Sequence, residues 1–382
     1  MNEKIKYLDS IRGIACLVVV ISHLTLIFYT QLHAFSYDPN IPQSDIFEFI
    51  YNSPFAFFYS GSSAVYCFFV LSGFVLARSM LRKGGGLKIL ISNIVKRYPR
   101  LAIPATISCI IAFVCYSFPV DKTGIAASAT NLGKIDLNIF EAIKSGAITA
   151  FIDGISIYNW SLWTMKIELI GSIFVYLYCF FYTKTEKMNS LFALMFILFL
   201  FSFYEIYNNT KNLGYISFFI GCFIYIYNIK INKKIAVFTF ILGLYLSGVH
   251  IYSDSYAFIY KNNLIYGVNK GNIYNMFNFA GGSLIVFSII SGGLFIKALS
   301  NKYLIKLGEL SFSIYLLHLP IIYLVGIGTF SALNNSLGFW YGSLLSSLLV
   351  ILVTILLSIV YSKYVDNLAI RISAYIGNKI SF

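Results

Sequence analysis

Ten blocks of apolar residues, each long enough to cross a bilayer as a helix, follow one another along the chain with polar segments between them. They cover 11–29, 58–77, 101–120, 161–182, 189–207, 213–229, 235–252, 277–296, 309–330 and 340–362. The pattern predicts an all-α polytopic membrane protein of about ten transmembrane helices around a polar intramembrane cavity. It makes 1–382 a single domain with no appended soluble domain. The first block opens with a helix cap at Asp9 or Ser10 and carries Arg12 and His23. Eleven positions is nearly a whole number of helical turns, so both side chains share a face, about 16 Å apart along the axis. Two readings are open for them. One is a topology anchor plus a histidine bonded to a neighbouring helix; the other is a functional pair reaching to mid-bilayer.

Composition strengthens the membrane reading. Hydrophobic residues are 58% of the 382 and charged residues 11%, against about 45–50% and about 25% in a soluble domain. A net charge of +13 alone suits nucleic acid or anionic lipid. With the N-terminus inside, however, the inner segments hold 21 of the 28 Lys and Arg, the outer segments six, and Lys166 lies in a span. That asymmetry is the positive-inside pattern. It predicts a multi-pass protein of the cell (inner or plasma) membrane with N- and C-termini cytoplasmic, contacting membrane lipid and no nucleic acid. All six cysteines fall inside spans without a C-x-x-C pair and read as packing residues. Four scattered histidines without a cysteine partner motif predict no metal site. The first block has no cleavage site after it, so it is expected to stay.

Candidate chemistry gathers at a few places. The outer segment 30–57 has no Lys or Arg, three acids including Asp45, and many aromatics, among them Phe35, Phe47 and Phe55. It reads as an interfacial belt or as a sugar-holding cleft, with Asp45 the first carboxylate to test. Ser72-Gly73 is a small-residue spot where another backbone can approach. Arg97 and Arg100, three apart at the start of the third span, share a face and read as headgroup anchors or as forks for phosphate oxygens. The stretch 137–150 has amphipathic spacing suited to the membrane surface. After Trp160-Ser-Leu-Trp163, Glu168 lies about two turns into a span, with Thr164, Gly171 and Ser172 on its face and Lys166 pointing elsewhere. A carboxylate at that depth needs a partner, and His23 is the natural candidate. In the ninth block Ser311, Tyr315 and His318 share a face, and Pro320 frees the carbonyl of Leu316 for a ligand or a bend.

The order and spacing of these pieces resemble acyltransferase family 3, integral-membrane enzymes that O-acylate surface glycans and related acceptors. The resemblance rests on Leu8-Asp9-Ser10-Ile11-Arg12-Gly13 through His23, Phe68-Phe69-Val70-Leu71-Ser72-Gly73-Phe74, Arg97 with Arg100, Leu162-Trp163-Thr164 with Glu168, and Ser311-Phe-Ser-Ile-Tyr315-Leu-Leu-His318. It covers essentially the whole chain. It implies that Arg12 and His23 are the essential pair and that acyl-CoA (acetyl-CoA) is the donor substrate, approached from the cytoplasm, with no cofactor held permanently. The implied donor contacts are Arg12, Arg97, Arg100, Ser72, Trp163, Tyr315 and His318. Where many members carry Asp two positions before the Phe-Phe pair, this chain has Tyr66, so no acidic role transfers there. Some relatives carry an extracytoplasmic esterase-like domain after the bundle; this sequence stops at Phe382, so the bundle or a separate protein is expected to complete transfer.

Chemically, moving an acyl group to a hydroxyl needs a base and a stabilised oxyanion. His23 suits the first task, and Glu168 would orient its imidazole as in a triad. The acceptor that the resemblance implies is a glycan or lipid-linked sugar. The rival class is a transporter or flippase, whose polar midplane residues bind cargo without chemistry. The acceptor sugar, the acyl chain and the oligomeric state are not legible in the sequence.

Overall fold

The computed structural model describes residues 5–33, 37–39, 41–185, 210–250, 252–261 and 270–380. The expected span 189–207 and Phe35 lie outside the described residues. No strand occurs among the described residues. The main helices are α1 (Lys6–Phe28), α2 (Gly61–Leu81), α3 (Leu87–Tyr116), α4 (Thr164–Tyr182), α5 (Thr210–Ile226), α6 (Lys233–Ser247), α7 (Lys270–Gly292), α8 (Lys302–Ile321), α9 (Gly328–Tyr361) and α10 (Asn367–Ile380). Among the described residues, six helical stretches, one of them covering Lys302–Lys379 through the kink at Gly338, are long and apolar enough to cross a membrane. α5 is apolar but shorter.

Helix boundaries depart from the apolar blocks where tertiary contacts extend a helix. α3 begins at Leu87, well before the expected 101, so Arg97 and Arg100 sit inside it rather than at its start. Its basic first half holds helical form because it lies on α10, with Ser92 Oγ donating to the Gly377 carbonyl at 3.1 Å. α9 is interrupted at Gly338, whose φ of 76° is a left-handed value open to glycine. The six cysteines are all free and buried.

α2 is the centre of the bundle, touching α1, α4, α5 and α7. Its contact with α5 is backbone on backbone: a Cβ on Gly73 would overlap the Phe218 carbonyl, and one on Gly221 the Val70 carbonyl. Bilayers supply no hydrophobic drive between helices, so such close approach is how they gain dispersion energy. α1 and α8 run parallel and in register. Gly13 faces Gly308, Cys16 donates to the Ser311 carbonyl at 3.1 Å, and the rings of His23 and His318 touch. Each pair is offset by the same number of residues, and the steps of three and seven are those of a seam between parallel helices.

The segment before α4 packs against α3 and keeps Phe140 and Ile148 exposed. Helical turns Ile139–Lys144 and Ser145–Thr149 sit on α3, where a Cβ on Gly146 would meet the Thr106 backbone at 2.5 Å. The chain then reaches α8. Asn159 Nδ2 donates to the Leu316 carbonyl at 2.8 Å, the acceptor that Pro320 leaves without its helical N–H. We expect Gly73→Ala to lower stability by about 1–3 kcal/mol through overpacking at the α2–α5 contact. Thermal unfolding in detergent followed by tryptophan fluorescence measures this, and an unchanged melting curve would contradict the close contact.

Candidate active site

Five helices contribute walls to one cavity of about 170 Å³. Arg12 comes from α1, Ser72 with Phe68 and Phe69 from α2, Arg97 and Arg100 from α3, Thr164 and Glu168 from α4, and Ser311 and Tyr315 from α8. Sequence segments that look unrelated in one dimension thus meet in one polar space, as expected of a cavity inside the bundle.

The charges inside are unequally satisfied. Arg97 donates through Nη2 to Glu168 Oε2 at 2.6 Å and through Nε to Ser172 Oγ at 3.0 Å. Ser72 Oγ donates to the other Glu168 oxygen at 3.2 Å. Arg100 is paired with Asp366 and lies over the Phe312 ring at 5.7 Å. Arg12 also lines the cavity, but among the described residues no carboxylate is within ion-pair distance of it. Three guanidiniums and one carboxylate line the space, so it favours an anion or a strongly polar acceptor.

The expected His23–Glu168 pairing is therefore corrected. Glu168 sits at the level of the arginines because α4 begins deep in the bundle, after Trp160–Trp163 has docked on α8 through Ser161 Oγ and the Tyr315 carbonyl at 3.3 Å. An arginine fork on the facing helix takes the carboxylate, and no His–Glu triad forms. His23 instead faces His318, ring centroids 4.9 Å apart. His23 Nδ1 lies 2.9 Å from the Val19 carbonyl and His318 Nδ1 2.7 Å from the Tyr315 carbonyl. A carbonyl only accepts, so each Nδ1 carries the hydrogen and each Nε2 keeps its basic lone pair. The His318 Nε2 is buried with no hydrogen-bond partner.

Neither imidazole lines the cavity. Tyr315 links the two regions, lining the space on one side and packing 5.8 Å from the His318 ring on the other. Its hydroxyl donates to the Ser161 carbonyl at 2.6 Å and lies 3.0 Å from Thr164 Oγ1. Of the sequence candidates, Arg12, Ser72, Arg97, Arg100, Glu168 and Tyr315 come together, and His23 and His318 adjoin them. Trp163 is half-buried in the turn before α4 and does not line the space. Lys166 turns away and donates to the Ile152 carbonyl at 2.6 Å. Asp45 is exposed at the start of a short helix, Asp45–Asn52. One ring cluster at that end is Tyr29, Phe47 and Trp340, with Phe47 5.4 Å from Tyr29 and 5.3 Å from Trp340, and another gathers Tyr51, Tyr59 and His33 around His250. Sequence reasoning missed Asp366. A buried acid placed by the π-helical turn Ser362–Asp366, it was discoverable only as an acidic residue closing a long apolar block.

The fold and site define a helical membrane protein with a cationic, acid-buffered cavity beneath a histidine pair. The acyltransferase domain family, Acyl_transf_3, matches residues 5–363, and the chain belongs to that family. It is also 26% identical over 221 residues to the O-acetyltransferase PaAT-1 of Phomopsis amygdali, which covers 49% of this chain and 42% of that protein. The chain thus spans less than half the length of this relative. No solved structure matches it.

Breaking the largely shielded Arg97–Glu168 pair, whose side chains are 16% and 15% exposed, from one side leaves an uncompensated charge. We expect Arg97→Ala or Glu168→Ala to cost about 3–5 kcal/mol, and Arg97→Met with Glu168→Leu to recover most of it. Chemical denaturation of the single and double variants tests this; additive losses would show that the two charges are not coupled.

Proposed function

We propose that the chain is a membrane O-acyltransferase that moves an acyl group, acetyl in the first instance, from acyl-CoA to a hydroxyl of a cell-surface glycan or its lipid-linked precursor. In this reading the chain crosses the cell membrane ten times with both termini cytoplasmic, so Arg12, Arg97 and Arg100 face the donor's side. The observation that carries the proposal is a pair of imidazoles, each with Nδ1 on its own helix's carbonyl, next to a cavity where, among the described residues, Arg12 has no ion-pair partner. Family membership and the O-acetyltransferase relative support the same chemistry.

The acceptor hydroxyl gives its proton to His23 Nε2 as its oxygen attacks the thioester carbonyl. The C–O bond forms, the C–S bond breaks, and the imidazolium returns the proton to the departing thiolate. Arg97 and Glu168 neutralise each other and shape the wall, while Arg12 is left to meet a polar or anionic group of the donor. Drug-sized ligands fill roughly 300–1,000 Å³, so this cavity of about 170 Å³ suits the thioester arm and not the whole donor. The arm reaches His23 past Tyr315, whose hydroxyl bonds are the ones that must give way.

Purified protein incubated with acetyl-labelled acetyl-CoA and membrane glycolipid is expected to transfer label. His23→Ala should reduce transfer by about 10²–10⁴-fold, the usual contribution of a general base. Undiminished transfer by His23→Ala would remove its role. Saturable cargo movement with no label transfer in wild type would favour the transporter reading.

A further inference from the structure

A second cavity, of about 180 Å³, opens at the basic end of α3 and is lined by Lys83, Lys88, Lys96, Ser92, Asn93 and Ile89. Among the described residues none of the three lysines has a carboxylate within ion-pair distance, although ion pairs form elsewhere in the chain. This contrasts with the central cavity, where Glu168 and Asp366 already neutralise two of the three arginines. The free cationic charge of the region therefore lies mostly at the lysines.

Lys96 is also held in place, while Lys83 and Lys88 are exposed at the mouth. Lys88, Ser92 and Lys96 recur every four residues and so stand on one face of α3. The Lys96 stem runs against Gly377 of α10 so closely that a Cβ there would overlap it, and its ammonium donates to Asn378 Oδ1 at 3.3 Å. Asn93 Nδ2 donates to the Met80 sulfur at 3.4 Å, a weak acceptor. Three ammonium groups around one hollow repel one another until an anion enters. Lysine offers phosphate a point charge with rotatable donors.

We propose that Lys83, Lys88 and Lys96 form a phosphate-binding site distinct from the central cavity. Lys96 and Arg100 are one helical turn apart on α3, about 6 Å along its axis. A long phosphorylated thioester can therefore lie along α3 with its phosphates on the lysines and its arm among Arg12, Ser72 and Tyr315. This assignment rests on the acyl-CoA reading above. It moves the phosphate contacts that the sequence suggests for Arg97 and Arg100 to the lysines. The same chemistry would also hold the phosphate of an anionic lipid, and the test separates the two sources.

The test compares the full-length wild type, the variant Lys83→Gln/Lys88→Gln/Lys96→Gln, and the control Lys230→Gln/Lys233→Gln/Lys234→Gln, which removes equal charge elsewhere. With acetyl-CoA, the first triple variant should raise KM at least tenfold at unchanged kcat. With S-acetylpantetheine, which carries no phosphate, it should match wild type. Independently of turnover, calorimetric titration with inorganic pyrophosphate should show at least tenfold weaker binding in that variant and no change in the control. If the site holds lipid, protein extracted from vesicles of equal phosphatidylglycerol and phosphatidylcholine should retain excess phosphatidylglycerol. The first triple variant should lose that excess, with KM for both thioesters unchanged. Equal pyrophosphate binding and equal lipid retention in all three proteins would overturn the site. Failure of acetyl transfer in wild type with the pyrophosphate difference intact would overturn the donor reading and leave the site.

Discussion

Removing a charge from water into a bilayer costs several kcal/mol, and only a well-formed partner offsets it. Arg97 with Glu168 is the place where this protein meets that constraint, and the arrangement of α3 against α4 follows from it. The carboxylate takes the guanidinium on one oxygen and Ser72 of α2 on the other, so one ion pair joins three helices. Arg100 repeats the device with Asp366, tying α3 to the turn before α10. With these two arginines satisfied, Arg12 is, among the described residues, the cavity arginine without an ion-pair partner. The polarity of the cavity is the residue left over from two structural ion pairs, not the sum of its charges.

The seam between α1 and α8 sets the second half of the site. Because the helices are parallel and in register, residues an equal distance along each must meet, and the polar positions of both fall on that line. A histidine alone on α1 would face a lipid or a hydrocarbon side chain. Facing His318, it acquires a neighbour that is also basic and also locked at Nδ1 by its own helix backbone.

Proline and asparagine connect the two halves. Pro320 removes the helical donor for the Leu316 carbonyl, and Asn159 supplies a replacement from a segment far away in sequence. The same side chain donates to Ser108 of α3 at 3.1 Å. That pinning lowers the start of α4 into the bundle and so delivers Glu168 to the arginines. A local defect in one helix thereby fixes the depth of a carboxylate in another.

The apolar blocks determined that the chain is helical and membrane-embedded, since a bilayer admits few alternatives for twenty apolar residues. The eleven-residue spacing of Arg12 and His23, the shared face of Arg97 and Arg100, and the polar face of Ser311, Tyr315 and His318 were also legible, because helical geometry fixes which positions align. Helix ends were less so: α3 starts early because α10 supports its basic half, and composition does not record such support. Partner choice was not legible at all. Depth estimated along a single helix suggested Glu168 for His23, but depth depends on where α4 begins, and a docked loop distant in sequence sets that point. Asp366 stayed hidden for the same reason, since its meaning comes from Arg100 across the bundle. Helical periodicity told which residues of one helix share a face; only the three-dimensional packing decided which of them meet, because pairing depends on relative helix height and one helix's own periodicity carries no information about its neighbour's.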